Sequence, residues 1–306
     1  MKKIQLNQSA RMGIGCLALL VFAFLGKTAK GQIDVTFKLG KTAYIAHEPI
    51  VGEVTIFNRA GRDLIMSGKN GADWLEFRIN ETGGGRMVSP IQGAEKLKPI
   101  VIGAGKSYTS KVTVNRKYPM GRTGRYSIQA LVSFPQINRV FTARPTAINV
   151  NDGRKMWSQV FGVPPGNEGA GSYREYSILT QHHGSRSKTL YFRIAEADTG
   201  LVRKTWAIGD YLMVRPPKQV VDGKNILHVF HMAGPKTYVY TTVNVDGKPI
   251  EQQVYVQKGT SIPDMVTNES NQVAVVGGMT LEESLENYES REFRNLSERP
   301  PGLPKL

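Results

Sequence analysis

The sequence predicts an all-β protein of two antiparallel β-sandwich domains, preceded by an N-terminal signal peptide and followed by a flexible C-terminal tail. Three observations predict it. Short runs such as Ile33-Asp34-Val35-Thr36-Phe37-Lys38-Leu39 alternate apolar and polar residues, the period of a strand with one buried face. Turn residues (Gly, Pro, Asn, Asp) separate these runs, and no helical periodicity runs through the body of the chain. The chain opens on a basic segment and then an apolar one, the order of an export signal.

Residues 1–31 carry that signal. Lys2, Lys3 and Arg11 supply positive charge, no acid precedes Asp34, and Met12 to Gly26 form the apolar run. That run is shorter than the ~20 residues that span a bilayer comfortably. Ala29-Lys30-Gly31 places small residues where a signal peptidase reads them, so cleavage is expected before Gln32. The competing reading is an uncleaved anchor. Either way the body of the chain is exported to the periplasm, the cell surface or the medium, and no membrane span is expected once the signal is cleaved. Cys16 is the single cysteine and sits inside this segment, so the mature chain has no disulfide and depends on core size. The formal charge of +15 falls to about +10 when five cations leave with the signal. The remaining Lys and Arg are scattered, which describes a solvated surface, and no nucleic acid is expected as partner.

The first domain is expected over 32–150. After the opening strand, Val51 to Asn58 alternates again, and Asn58-Arg59-Ala60-Gly61-Arg62-Asp63 reads as a turn. Trp74 to Ile79, Tyr108 to Val114, Tyr126 to Val132 and Val140 to Val150 complete a set of short strands spaced as in a sandwich. Within this span, Tyr44-Ile45-Ala46-His47-Glu48-Pro49-Ile50-Val51-Gly52-Glu53-Val54-Thr55-Ile56-Phe57-Asn58 resembles the early strands of bacterial secreted immunoglobulin-like modules. Gly124-Arg125-Tyr126-Ser127-Ile128-Gln129-Ala130-Leu131-Val132 is similar to their penultimate strand. The resemblance implies an immunoglobulin-like fold, with the Tyr126 hydroxyl on nearby backbone as a tyrosine corner. It implies no function.

Asn151-Asp152-Gly153-Arg154 reads as a junction, with a second antiparallel domain over 155–260. Trp157 to Val163, Tyr173 to Thr180, Thr189 to Ala195, Leu201 to Trp206, Tyr211 to Val214, Ile226 to His231, Thr237 to Val243 and Gln253 to Gln257 are its strands. Asp198-Thr199-Gly200, Asp222-Gly223-Lys224-Asn225 and Asp246-Gly247-Lys248 carry hairpin chemistry, because glycine tolerates positive φ. A second sandwich and a small barrel or meander both remain open. The tail is expected over 261–306, with Thr280 capping a short helix and Glu283 reaching back.

Catalytic motifs are missing. Gly103-Ala104-Gly105-Lys106-Ser107 mimics a phosphate-binding loop, but Ile100 stands where its first glycine belongs and a strand follows instead of a helix. There is no Gly-x-Ser-x-Gly elbow, and the carboxylates are dispersed. His228 and His231 sit three apart on one strand and so face opposite ways; a metal site joining one of them to Asp210 and the His182-His183 turn is geometrically allowed but not expected. No catalytic residue, metal ligand or cofactor is therefore assigned, and the protein is read as no enzyme. Tyr191, Tyr238 and Tyr240 are the candidate binding residues, either core or an exposed aromatic stripe. The expected function is an exported binding or scaffold protein whose partner is another protein or a cell-envelope component. The alternatives are a carbohydrate-binding module using those tyrosines, and an exported hydrolase or metal protein.

Overall fold

The computed structural model describes residues 33–68, 73–93, 96–135, 138–183 and 187–286; the expected signal peptide over 1–31 lies outside them. The described chain is all-β. Its first half runs β1 (Ile33–Leu39), β2 (Ala43–Ile45), β3 (Val51–Asn58), β4 (Leu64–Met66), β5 (Leu75–Thr82), β6 (Ile100–Ile102), β7 (Ser107–Thr113), β8 (Gly124–Phe134), β9 (Arg139–Thr142) and β10 (Thr146–Asn151), with a 3-10 turn at Val114–Arg116 after β7. The second half continues with β11 (Arg154–Gly162), β12 (Tyr173–His183), β13 (Ser187–Glu196), β14 (Val202–Tyr211), β15 (Lys218–Val221), β16 (Leu227–Gly234), β17 (Thr237–Val243), β18 (Pro249–Val256), β19 (Asp264–Thr267), β20 (Val273–Val276) and β21 (Met279–Thr280).

In the first half, sheet β1-β3-β7 and sheet β2-β10-β8-β5, with β9 also on β8, enclose one core. The alternation in the sequence decides which side chains enter it. Along β8, Tyr126, Ile128, Ala130, Val132 and Phe134 are buried while their neighbours are half-exposed. From β3, Val54 and Ile56 meet them from the opposite sheet. The isoleucines, valines and Phe134 among them contribute roughly 1.5–3 kcal/mol each by leaving water. Gly103 to Ser107, the phosphate-loop mimic, is the turn that leads from β6 into β7.

The second half stacks three layers. Sheet β11-β12-β13-β14 packs on sheet β15-β16-β17-β18-β21 through Tyr176, Ile178, Phe192 and Ile208 on one side and Leu227, Val229 and Val243 on the other. The hairpin β19-β20 then covers the far face of the second sheet, where Met265 packs with Phe230, Tyr238 and Tyr240. The expected tail therefore divides. Residues 264–286 form strands and a short helical turn, because Met265, Val273 and Val275 have apolar surface to cover; residues 287–306 lie outside the described set. The helical start follows its capping box: the Glu283 carboxylate accepts the Thr280 N–H at 2.8 Å, and the Thr280 hydroxyl accepts the Glu283 N–H at 3.2 Å.

Two further expectations are corrected. Leu201–Trp206 and Tyr211–Val214 are not two strands. β14 runs unbroken from Val202 to Tyr211, and the pairing with β13 shifts register between Leu190 and Tyr191, opposite Gly209, so that glycine marks a bulge instead of a turn. In the Asp222–Asn225 turn it is Asn225, with φ 59°, that takes the left-handed conformation, because Asp222 accepts the Lys224 and Ile226 N–H groups and fixes the loop.

Candidate functional site

The side chains that join the two halves gather where the loop between β2 and β3 meets the far face of sheet β11-β12-β13-β14. Ile45, Leu179 and Tyr191 form a small apolar cluster there. Lys41 donates to both oxygens of Glu48 at 2.8 and 2.7 Å and to the Tyr191 hydroxyl at 2.8 Å, while Arg193 donates to the Ala46 carbonyl at 3.0 Å. Burial drives the Tyr191 phenol pKa up, so it stays protonated. Tyr191 thus contacts a protein surface, but it is a surface of its own chain.

Tyr238 and Tyr240 share a face, as their spacing requires, and that face lies under β19-β20. The Phe230 and Tyr238 rings stack with centroids 5.5 Å apart. The stripe read from the sequence is real, and the segment read as a flexible tail covers it. All three candidate tyrosines are buried.

Tyr240 also takes part in a relay. His228 Nδ1 lies 2.7 Å from the Tyr240 hydroxyl and Nε2 lies 3.3 Å from Asp222 Oδ2. Burial pushes the Tyr240 phenol up to about 12, so at neutral pH it donates to Nδ1, and Nε2–H is left to donate to Asp222. A phenol held protonated in this way is a poor nucleophile, and the relay is a closed hydrogen-bond chain. His231 turns to the other face and pairs with the Asp210 backbone carbonyl, not its carboxylate, at 3.0 Å. Among the described residues no three His, Cys, Asp or Glu side chains converge as metal ligands; the His183 side chain lies outside them.

The arrangement with the most open chemistry lies in the first half, where β5 and β7, edge strands of the two facing sheets, border a groove of about 510 Å³. Leu75, Phe77 and Tyr118 give it an apolar floor, with the Phe77 and Tyr118 rings edge to face at 6.0 Å. Asp73 organises one wall. Buried at 5% exposure, it accepts the Leu97 N–H at 3.0 Å and the Lys117 ammonium at 2.6 Å. Burial, the largest single influence, would lower the Lys117 pKa, but the hydrogen bond and charge of Asp73, with Tyr118 and Glu76 nearby, together outweigh it and hold the amine above its ordinary value. The Trp74 indole N–H donates to the Lys98 carbonyl at 3.0 Å and fixes the 96–98 segment on the rim.

Asp73 is thus consumed by Lys117. Lys96, Lys98 and Lys111 line the same groove, and among the described residues no carboxylate lies within ion-pair distance of any of them. An apolar floor ringed by ammonium groups that form no ion pair among the described residues suits an anionic ligand that also carries an apolar group. These lysines were part of the basic scatter in the sequence. The groove brings them together from two segments far apart in the chain, and the alternation Lys96-Leu97-Lys98 was the only local trace of it.

No protein-family model and no curated protein matches the chain. Among solved structures, the crystal structure of Spo0M, a sporulation control protein from Bacillus subtilis, is similar over 87% of this chain and 97% of that chain, with 10% identity and a TM-score of 0.27. So remote a likeness carries no argument here.

Proposed function

We propose that this chain is an exported, non-catalytic binding protein whose first half is an immunoglobulin-like sandwich that presents the lysine-ringed groove to an anionic partner of the cell envelope. One observation carries the reading: Lys96, Lys98 and Lys111 surround an apolar floor and form no ion pair with a carboxylate among the described residues. The immunoglobulin-like part is supported by two sheets over one core and by Tyr126, whose hydroxyl donates to the Arg122 carbonyl at 2.8 Å as a tyrosine corner would. Export is supported by the basic and apolar start of the sequence. The carbohydrate alternative is disfavoured, because a sugar-stacking face needs exposed rings and Tyr191, Tyr238 and Tyr240 have none to offer.

The test is retention of the mature chain, residues 32–306, on immobilised envelope extract at low and high salt. The comparison is a variant with Lys96→Glu, Lys98→Glu and Lys111→Glu. Retention that falls with salt and with charge reversal supports the reading, since exposed charges are screened beyond about 10 Å at 0.1 M salt. Equal retention of both proteins refutes the groove. N-terminal sequencing of the protein recovered from its host checks export: a start at Gln32 is expected, and a cytoplasmic product starting at Met1 refutes it.

A further inference from the structure

The two edge strands that border the groove are treated differently. β5 is closed. The returning segment 86–88 runs along it, with the Glu81 N–H on the Arg86 carbonyl at 2.8 Å and the Val88 N–H on the Ile79 carbonyl at 2.9 Å. The Tyr118 hydroxyl accepts the Phe77 N–H at 3.0 Å. Three outward groups of β5, the Phe77 and Glu81 N–H and the Ile79 carbonyl, are thereby used, and the covering segment blunts the sheet edge.

β7 is left open. Among the described residues it pairs with β3 alone, and the two ends of that ladder fix which residues it uses. The Asn58 N–H reaches the Lys106 carbonyl at 2.9 Å, and the Val114 N–H reaches the Ile50 carbonyl at 2.9 Å. Antiparallel pairing alternates, so the even-numbered residues of β7 bond β3 and the odd-numbered ones turn their backbone groups outward. Among the described residues, no hydrogen bond reaches the outward backbone groups of Thr109, Lys111 and Thr113. The open edge and the lysine-ringed groove are one surface, since Lys111 and Thr113 belong to both.

We infer that the partner is an acidic peptide segment that binds in extended form, adding a strand to the free edge of β7. The inference rests on the reading of the groove given above and names its ligand class. Strand addition satisfies the open backbone groups, and the period of two then sorts the peptide's side chains. One set continues the face of Tyr108 and Val112 and lies over the floor at Phe77 and Tyr118, where apolar side chains gain by burial. The other set lies on the face of Lys111, where carboxylates gain. A lysine on an edge repels basic strands, disfavours uncharged ones because pairing would desolvate its charge, and admits an acidic one.

The experiment is fluorescence anisotropy of a labelled dodecapeptide of alternating Glu and Val against residues 32–306. Two versions of the peptide are compared, one N-methylated at the glutamate amides and one at the valine amides. In an added strand only one of these sets faces β7. One methylated peptide is therefore expected to lose binding at least tenfold while the other is retained. The protein variant Thr113→Pro removes one outward N–H. Thr113 has a negative φ of −92°, from which a modest local shift reaches the range of proline, and its N–H does not bond β3, so the fold is expected to survive; an unchanged melting curve checks this. A tenfold weaker Kd for this variant supports strand addition. Equal binding by both methylated peptides, with loss on reversing Lys96, Lys98 and Lys111, overturns strand addition but leaves the anionic groove standing. Binding of vesicles containing anionic lipid and of no peptide likewise overturns the peptide assignment alone. Binding of neither overturns both.

Discussion

Replacing Lys41 with Met leaves a buried carboxylate without its cation, and the cost depends on how easily Glu48 takes up a proton. Glu48 is 4% exposed and receives the Lys41 ammonium on both oxygens and the Ile45 N–H at 2.6 Å. Burial pushes its pKa above the ordinary 4.5, and Lys41 opposes that rise. Without Lys41 the folded chain has two options. Keeping the charge costs about 3–5 kcal/mol, as for other broken buried pairs. Protonating Glu48 costs about 1.4 kcal/mol for each pH unit above its unfolded value, hence about 3.4 kcal/mol at pH 7 and about 0.7 kcal/mol at pH 5. Protonation is the cheaper route at or below neutral pH and sets the ceiling. The lost bond to the Tyr191 hydroxyl adds about 1 kcal/mol at any pH. The parent already carries part of this cost, because its Glu48 pKa is raised even with Lys41 present, so the Lys41→Met protein is expected to unfold up to about 4 kcal/mol more easily than the parent at pH 7, and up to about 2 kcal/mol more easily at pH 5. The sign follows because a carboxyl whose folded pKa lies above its unfolded one loses stability as pH rises. Urea unfolding followed by tryptophan fluorescence, at pH 5, 6 and 7, reads this difference. Adding Glu48→Gln to Lys41→Met is expected to recover all but about 1–1.5 kcal/mol. A deficit independent of pH, or a double variant no more stable than the single one, would show that Glu48 is not the stranded charge.

The remaining predictions concern a histidine and two glycines. Burial lowers the His231 pKa to about 4, so the folded state keeps it neutral while the unfolded chain protonates it near 6.5. Its stability is expected to be intact above pH 6.5 and to decline by about 3 kcal/mol as pH falls toward 4; His231→Gln should flatten that decline in urea titrations, and an unchanged slope would refute the assignment. Gly153 and Gly61 have φ of 70° and 69°, but a β-carbon on Gly153 would lie 2.7 Å from Ile45 Cδ1 whereas Gly61 faces open space. Gly61→Ala should cost about 1–2 kcal/mol for the backbone alone, and Gly153→Ala measurably more in the same melting experiment. Equal losses would mean that the junction yields to the new methyl group.

Much of this fold was legible because it is local. The alternation along β8 needs only neighbouring residues to declare which side is buried, and the Tyr126 hydroxyl finds a carbonyl four residues back in the chain. Asp198–Gly200 and Asp246–Lys248 were read as turns because Gly200 and Gly247, with φ 69° and 73°, carry the required conformation in their own residue type. The hairpin β19-β20 was legible in principle, since Val273-Ala274-Val275-Val276 has strand chemistry, but it follows the Pro263 composition change that suggested a tail.

Neighbouring residues alone specify the all-β class, most of the strands and the face on which each side chain lies. What covers each face is set by packing between segments distant in the chain. Tyr191 and Tyr238 look alike as strand residues, yet one ends against the β2–β3 loop and the other under β19-β20, because a sheet with two apolar faces does not say which neighbour comes to which face. The groove has the same origin. Lys96, Lys98 and Lys111 are single charges in the chain, and they become one site only where two sheets meet and Asp73 is already spent on Lys117. Alternation is a property of adjacent residues; electrostatic compensation is a property of residues that folding brings together.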